Sequence, residues 1–173
     1  MRLLKILCPL VLSILLIAGS ATAAPNICFI SIQQVIDESR AGKDAQAEMQ
    51  KLRNEHQKIL KQREDELNKL SEEMKKLGSA DQKAKKLQQD YQKKLREYND
   101  LTAKLQKEVR QKDMELTEKI AFKVRDVAGK MAKDKGIDYV FERVGSSIIV
   151  FPPESDITKE VIKGYDDEYS GKK

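Results

Sequence analysis

The sequence is poor in the residues that most often build catalytic, metal and disulfide sites. It has one histidine, two cysteines and no tryptophan in 173 residues. Cys8 lies in an N-terminal segment that we expect to be cleaved, and Cys28, left alone, cannot close a bridge within the chain. No Cys/His cluster has zinc-ligand spacing, and no G-x-x-x-x-G-K-[ST] phosphate loop is present. We therefore predict no catalytic residues, no cofactor, no metal site and no disulfide framework.

Long hydrophobic runs are also absent after the first residues. Arg2 and Lys5 form a short basic start, Ile6 to Ala18 are apolar, and Ala21-Thr22-Ala23 is a small-x-small cleavage site. The apolar stretch is about thirteen residues, which is short of the roughly 20 that a membrane-spanning helix needs. We predict a cleaved signal over residues 1–23 and an exported protein that starts at Ala24.

Glycine and proline are scarce through the middle of the chain, which favours long helices. Between Gly42 and Gly129 the only glycine is Gly78, and there is no proline. A kink, a flexible joint and a full reversal are all compatible with this break. On both sides of it apolar residues recur in steps of three and four, which is typical of a narrow coiled-coil seam. The seam residues are Met49, Leu52, Ile59, Leu60, Leu67, Leu70, Met74 and Leu77 before the break, and Ala84, Leu87, Tyr91, Leu95, Tyr98, Leu101, Leu105 and Val109 after it.

The two seams favour a reversal over a bent rod. If the chain turns back at Gly78-Ser79, apolar residues pair in an unbroken series that sets Leu52 beside Leu105. Gly78 can end a helix in the left-handed conformation, and Ser79 followed three residues later by glutamine has capping-box spacing. We predict an antiparallel helical hairpin arm over residues 40–135 with its tip near residues 78–81. The single histidine, His56, lies on the seam and is predicted to be packed or solvent-facing.

The predicted arm is basic, whereas the rest of the chain after the signal is acidic. Residues 40–135 contain 26 lysines and arginines and 18 aspartates and glutamates; residues 24–39 and 136–173 contain 5 and 10. Solvated helix faces explain such charge as well as attraction for anionic partners does. Five lysines crowd the tip and are the predicted contacts for acidic or anionic partners, the alternative being a tip kept soluble by like charge: Lys75, Lys76, Lys83, Lys85 and Lys86.

The segments outside the arm predict a small β-rich body formed by residues 24–39 and 136–173. "ICFISI", with Cys28 as a buried small side chain, is one predicted strand, and "GIDYVFER" and "SIIVF" are a predicted strand hairpin. "DITKEVIKGY" predicts a short helix, and "DDEYSGKK" a disordered tail. Beyond Val109 the second arm helix has a wider apolar face that the body would bury.

Three short strands make a marginal core, so we expect several copies of the chain to associate through them. The predicted fold class is α+β, a long antiparallel coiled-coil hairpin on a small β-rich oligomerisation body. The predicted oligomerisation core consists of Ile27, Phe29, Ile137, Tyr139, Phe141, Ile148 and Val150.

The order of these segments resembles the Skp/OmpH family of periplasmic chaperones. "QQVIDES" follows the first strand, a charged hairpin comes next, and "GIDYVFER", "SIIVF" and "DITKEVIKGY" close the chain. The most specific part is the C-terminal strand hairpin followed by Asp-Ile-Thr-x-x-Val-Ile. The resemblance extends over essentially the whole chain after the signal, whereas the helical arms alone share their composition with any coiled coil.

The resemblance implies a periplasmic homotrimer whose arms hang from a trimerisation body around a cavity. It implies an ATP-independent holdase that keeps unfolded outer-membrane proteins from aggregating, with no catalytic residue to carry over. Anionic lipid or lipopolysaccharide as a further partner is left open. Export argues against nucleic acid as a ligand. The alternative from another class is a structural coiled-coil adaptor of the cell envelope, although such adaptors usually carry additional β-domains.

Overall fold

The computed structural model describes residues 24–77 and 82–170. The predicted signal at residues 1–23 and the predicted tip at residues 78–81 lie outside the described residues. The elements in chain order are β1 (Ile27–Ile30), α1 (Ile32–Glu38), α2 (Arg40–Lys76), α3 (Gln82–Lys135), β2 (Tyr139–Glu142), a 3-10 turn (Pro153–Ser155) and α4 (Thr158–Ser170). None of the described helices is both long and apolar enough to cross a bilayer.

Short polar residues and one glycine set the ends of the helices. The Ser31 hydroxyl accepts a hydrogen bond from the backbone N–H of Gln34 at the start of α1, and the Ser39 hydroxyl accepts one from Gly42 at the start of α2. Both satisfy N–H groups that the first helical turn leaves unpaired. Gly136 follows α3 with a φ of 65°, a conformation that favours glycine and ends helices.

The two long helices, α2 and α3, pack side by side in antiparallel directions. Lys94 near the start of α3 places its Nζ 2.9 Å from Oε2 of Glu66, towards the end of α2. Lys112, further along α3, places its Nζ 2.9 Å from Oε1 of Glu48, near the start of α2. The Lys94 hydrogen bond lowers the pKa of Glu66. Few side chains are buried between the helices outside the body, namely Met49, His56, Leu67 and Leu105.

The register of the two helices differs from the predicted one by about one helical turn. The prediction set Leu52 beside Leu105. Instead, Leu52 shares a groove with Gln111, and Leu105 shares another with His56. The seam repeats every three to four residues, so a slip of one turn still brings apolar residues together. The ion pairs that flank the seam favour one of these nearly equivalent registers.

This register can be tested by crosslinking. In a Cys28→Ser background, cysteines at Glu66 and Lys94 should be joined within one chain by a short bismaleimide, because these side chains meet across the arm. A matched pair at Glu66 and Lys104 should not be joined, since ten residues of helix displace the second site by about 15 Å. Gel mobility after denaturation distinguishes the two, and efficient joining of the second pair alone would contradict the register.

The core of the body is mainly helical, and the prediction of a β-rich body is wrong. α1, α4 and the ends of α2 and α3 nearest the body enclose it, with Val35, Val124 and Val161 fully buried. Only two strands of 4 residues each occur among the described residues. The body core contains Cys28, Ile30, Val35, Ala41, Ile120, Val124, Val127, Ala128, Ile157, Val161 and Tyr165.

Gly42 allows α1 and α2 to meet at close range. A Cβ built on Gly42 would lie 1.8 Å from the carbonyl oxygen of Ile36 and 2.6 Å from its carbonyl carbon. The atoms in the way are backbone atoms, which cannot move aside by changing a rotamer. The contact therefore requires glycine at this position.

The two strands form a parallel pair in which Ile27 faces Tyr139 and Phe29 faces Phe141. A parallel pair needs a crossover between its strands, and here the whole helical arm is that crossover. The other edge of β1 is held by the segment before α4, where the backbone N–H of Ile157 donates to the carbonyl of Phe29 at 2.9 Å.

Two further predictions for the C-terminal segments are wrong. "SIIVF" forms no strand within the described chain, so the predicted hairpin with β2 is absent. The predicted disordered tail is instead the second half of α4, which continues to Ser170. The Tyr169 hydroxyl donates to Asp44 of α2, and Lys130 of α3 donates to Glu168. These contacts hold the end of α4 against both long helices.

Candidate functional site

The five predicted tip lysines lie at the end of the arm that is furthest from the body. Lys75 and Lys76 are in the last turn of α2, and Lys83, Lys85 and Lys86 are in the first two turns of α3. All five are exposed. Whether they contact a partner stays a prediction, because the turn that joins them lies outside the described residues.

Helix stability explains only part of this lysine cluster. Cations in the last turn of α2 interact favourably with the negative end of the helix dipole, whereas cations in the first turn of α3 face the positive end. The first turn of α3 has no acidic residue to offset them. The charge at the start of α3 therefore lowers helix stability slightly and calls for another reason.

The predicted oligomerisation core is divided between buried and exposed positions. The side chains of β1 and β2 alternate between two faces. Cys28, Ile30 and Val140 contact the body core, which confirms the prediction of a buried Cys28; burial also raises the pKa of its thiol. The opposite face, which we call the outer face, carries the predicted core residues of both strands: Ile27, Phe29, Tyr139 and Phe141.

The outer face is apolar and only partly covered. Phe29 is 5% exposed because the Phe151 ring lies 4.6 Å from its own, centroid to centroid. Tyr139 remains 56% exposed and Phe141 40% exposed. Two-stranded parallel sheets are rarely left open on one apolar face, because parallel strands are normally covered on both sides.

The segment that was predicted as the third strand lies beside this face and is more exposed still. Ile149 is 94% exposed and Val150 is 85% exposed. We call residues 144–151 the apolar loop; its exposed apolar residues are Val144, Ile148, Ile149 and Val150. Of the remaining predicted core residues, Ile137 is half-buried against the body core. A contiguous apolar surface of this kind marks a site of association.

A buried polar cluster fixes the start of α4 against the sheet. The backbone N–H of Ser31 donates to the hydroxyl of Thr158 at 2.9 Å, and Arg143 donates to Asp156 at 3.0 Å. Burial alone would raise the pKa of Asp156, but hydrogen bonds from Thr158 and the Arg143 guanidinium hold it below its ordinary value. The cluster has a structural role, because each of its charges already has a partner.

His56 is the one buried side chain of the arm with an unmet polar atom. Its Nε2 lies 3.4 Å from Oε2 of Glu108, whereas its buried Nδ1 has no hydrogen-bond partner among the described residues. The sequence places His56 on the seam, but the groove beside it depends on the register and was not predicted. The described residues contain no group of three or more histidine, cysteine or acidic side chains that could hold a metal ion.

Comparison with known proteins agrees with this architecture. The chain has the fold of a candidate outer membrane chaperone (OmpH-like) from Caulobacter crescentus CB15. That crystal structure is 18% identical, with a TM-score of 0.74 over 84% of this chain and 86% of the other. No curated protein matches the chain. The sequence also matches the family described as Outer membrane protein (OmpH-like) over residues 26–165. The protein thus belongs to the OmpH-like outer membrane protein family.

Proposed function

We propose that the protein is a periplasmic, ATP-independent holdase that binds unfolded outer-membrane proteins between its helical arms. The observation that carries the proposal is the arm itself. α2 contains 37 residues and, at about 1.5 Å per residue, is about 55 Å long. Outside the body its main partner is α3, so most of its surface is free to contact other molecules. Many weak contacts over a long surface suit a client that has no fixed structure.

The proposal includes a homotrimer assembled through the body. The outer face and the apolar loop support it, because together they expose apolar side chains that one chain leaves uncovered. "SIIVF" has the composition of a strand and lacks a partner within the described chain. Pairing with a neighbouring copy would supply both the missing hydrogen bonds and the missing cover.

The tip lysines would help to capture the client. Their charge attracts acidic client segments before apolar contacts form, and exposed charges are screened over about 10 Å at 0.1 M salt. Anionic lipid and lipopolysaccharide are further anionic partners for the same lysines. Neither nucleic acid nor a small-molecule cofactor is part of the proposal.

The direct test is suppression of aggregation without nucleotide. Near-stoichiometric protein should keep a urea-unfolded outer-membrane barrel protein soluble after dilution, as measured by light scattering. An envelope adaptor would leave aggregation unchanged. If aggregation continues even at several-fold excess of the protein, the holdase proposal is wrong.

Neutralising the tip should weaken capture only in part. The change is Lys→Gln at Lys75, Lys76, Lys83, Lys85 and Lys86 together. Capture of an acidic client, followed by stopped-flow fluorescence, should slow by a few fold at 0.1 M salt, because single exposed charges contribute little. The matched control neutralises five exposed lysines elsewhere on the arm: Lys51, Lys58, Lys69, Lys104 and Lys107. Equal slowing in both variants would assign the effect to net charge rather than to the tip.

A further inference from the structure

A groove runs across the middle of the arm, well away from the tip lysines. It has a volume of about 560 Å³ and lies between α2 and α3. Its lining includes the apolar side chains of Leu60, Leu105 and Val109. Of these, Leu105 is 7% exposed and belongs to the seam. The groove therefore offers an apolar floor in an otherwise charged stretch of the arm.

The rim of the groove is cationic. Arg53, Lys61 and Arg110 line it, together with one carboxylate, Glu64. Most carboxylates of the arm near lysines or arginines form ion pairs, but none of these three cations has one among the described residues. Three cations without a carboxylate partner around an apolar floor are complementary to a ligand that is both acidic and apolar.

His56 adds a hydrogen-bond acceptor to the same groove. It is 9% exposed, and its Nε2 is near the Glu108 carboxylate, 3.4 Å from Oε2. A neutral imidazole beside a carboxylate keeps its hydrogen on the nitrogen that faces the carboxylate, which leaves the other nitrogen as an acceptor. That nitrogen, Nδ1, is buried and without a partner, a state that costs free energy until a donor is supplied.

We propose that this groove binds an extended acidic and apolar peptide segment of the client. A backbone N–H of the peptide donates to Nδ1 of His56, an apolar side chain lies on the floor, and an aspartate or glutamate binds Arg53 and Arg110. A phosphate or a lipid headgroup phosphate supplies negative charge but no N–H donor, so a peptide satisfies all three features. The inference rests on the proposed holdase function and adds the chemistry of the client segment.

The test measures binding of a defined peptide to the full-length protein. The probe is an extended peptide of alternating valine and aspartate with a neutral fluorescent label, and its control has asparagine in place of aspartate. Arg53→Gln with Arg110→Gln should weaken binding of the acidic peptide about 5-fold, because two exposed ion pairs are lost. Lys58→Gln with Lys104→Gln removes the same charge from exposed positions outside the groove and should leave the affinity unchanged.

His56→Leu separates binding from arm stability. Leucine on the seam should raise the melting temperature of the arm, whereas loss of the acceptor should weaken both peptides about 5-fold, the effect of one hydrogen bond. A purely structural role for His56 would move stability without weakening the peptides. Fluorescence anisotropy and thermal unfolding provide the two measurements.

Three outcomes would overturn the inference. They are equal weakening by the two charge pairs, unchanged affinity in all variants, and loss of binding to anionic phosphatidylglycerol vesicles while peptide binding persists. The last outcome would assign the groove to lipid. Aggregation of a full-length client is followed in parallel. If the wild-type protein suppresses aggregation but the peptide does not bind the groove, only this inference fails. If suppression itself is absent, the proposed function fails.

Discussion

Gly42→Ala is expected to destabilise the protein by more than about 3 kcal/mol, at or beyond the upper end of the usual cost of overpacking. The added Cβ would lie 1.8 Å from the carbonyl oxygen of Ile36. Real Cβ contacts do not approach 3.0 Å, so α1 and α2 must move apart by more than an ångström. That movement would open the core around Val35, which is completely buried.

Chemical denaturation followed by circular dichroism measures this effect, and Gly129→Ala is the matched control. Gly129 is a helical glycine of α3 with nothing within 4 Å of an added Cβ. Alanine there should stabilise the helix by up to about 1 kcal/mol, the difference in helix propensity between the two residues. If Gly42→Ala were as stable as the wild type, α1 and α2 would not pack as described.

Ile149→Asp with Val150→Asp is expected to convert the proposed homotrimer to a monomer. Both side chains are almost fully exposed in the single chain, at 94% and 85%, so the substitution removes nothing from the fold of one copy. If association buries them, each aspartate forgoes about 1.5–3 kcal/mol of apolar burial and adds a desolvated charge. The combined cost is felt in all three copies.

Sedimentation velocity over a range of concentrations gives the oligomeric state, and circular dichroism checks that each copy remains folded. The control is Met114→Asp with Phe122→Asp, two exposed apolar residues of α3 outside the apolar loop. The control should keep the oligomeric state of the wild type. A trimer that survives the Ile149 and Val150 substitutions would place the interface elsewhere, and a monomeric wild type would refute assembly itself.

The helical arm was predictable because its signal is local and repeated. The steps of three and four in the seam recur over about ten turns, and scarce glycine and proline leave helix as the consistent choice. The register was not predictable from the same repeat, because each one-turn slip brings a new set of apolar residues together. Contacts such as Glu66 with Lys94 distinguish the registers, and arms with so many charges offer too many candidate pairs for the sequence alone to decide.

The body was harder to predict for two physical reasons. "SIIVF" has the β-branched composition of a strand, but a strand needs a hydrogen-bonding partner, and composition does not say whether that partner lies in the same chain. The end of α4 was missed because its charged sequence resembles a disordered tail, while Tyr169 binds Asp44 across a separation of 125 residues. The groove beside His56 was hidden for the same reason as the register, since its walls come from two helices.

The parallel pairing of β1 and β2 has a consequence for the order of folding. At its beginning the backbone N–H of Asn26 donates to Asp138 across a separation of 112 residues, and such distant contacts are slow to form when the chain between them is flexible. Here the intervening chain is a helical hairpin, which can form from local contacts and brings its two ends together. The hairpin thus acts as a template, and the N-terminal strand, although made first, must wait unpaired until the last quarter of the chain has arrived.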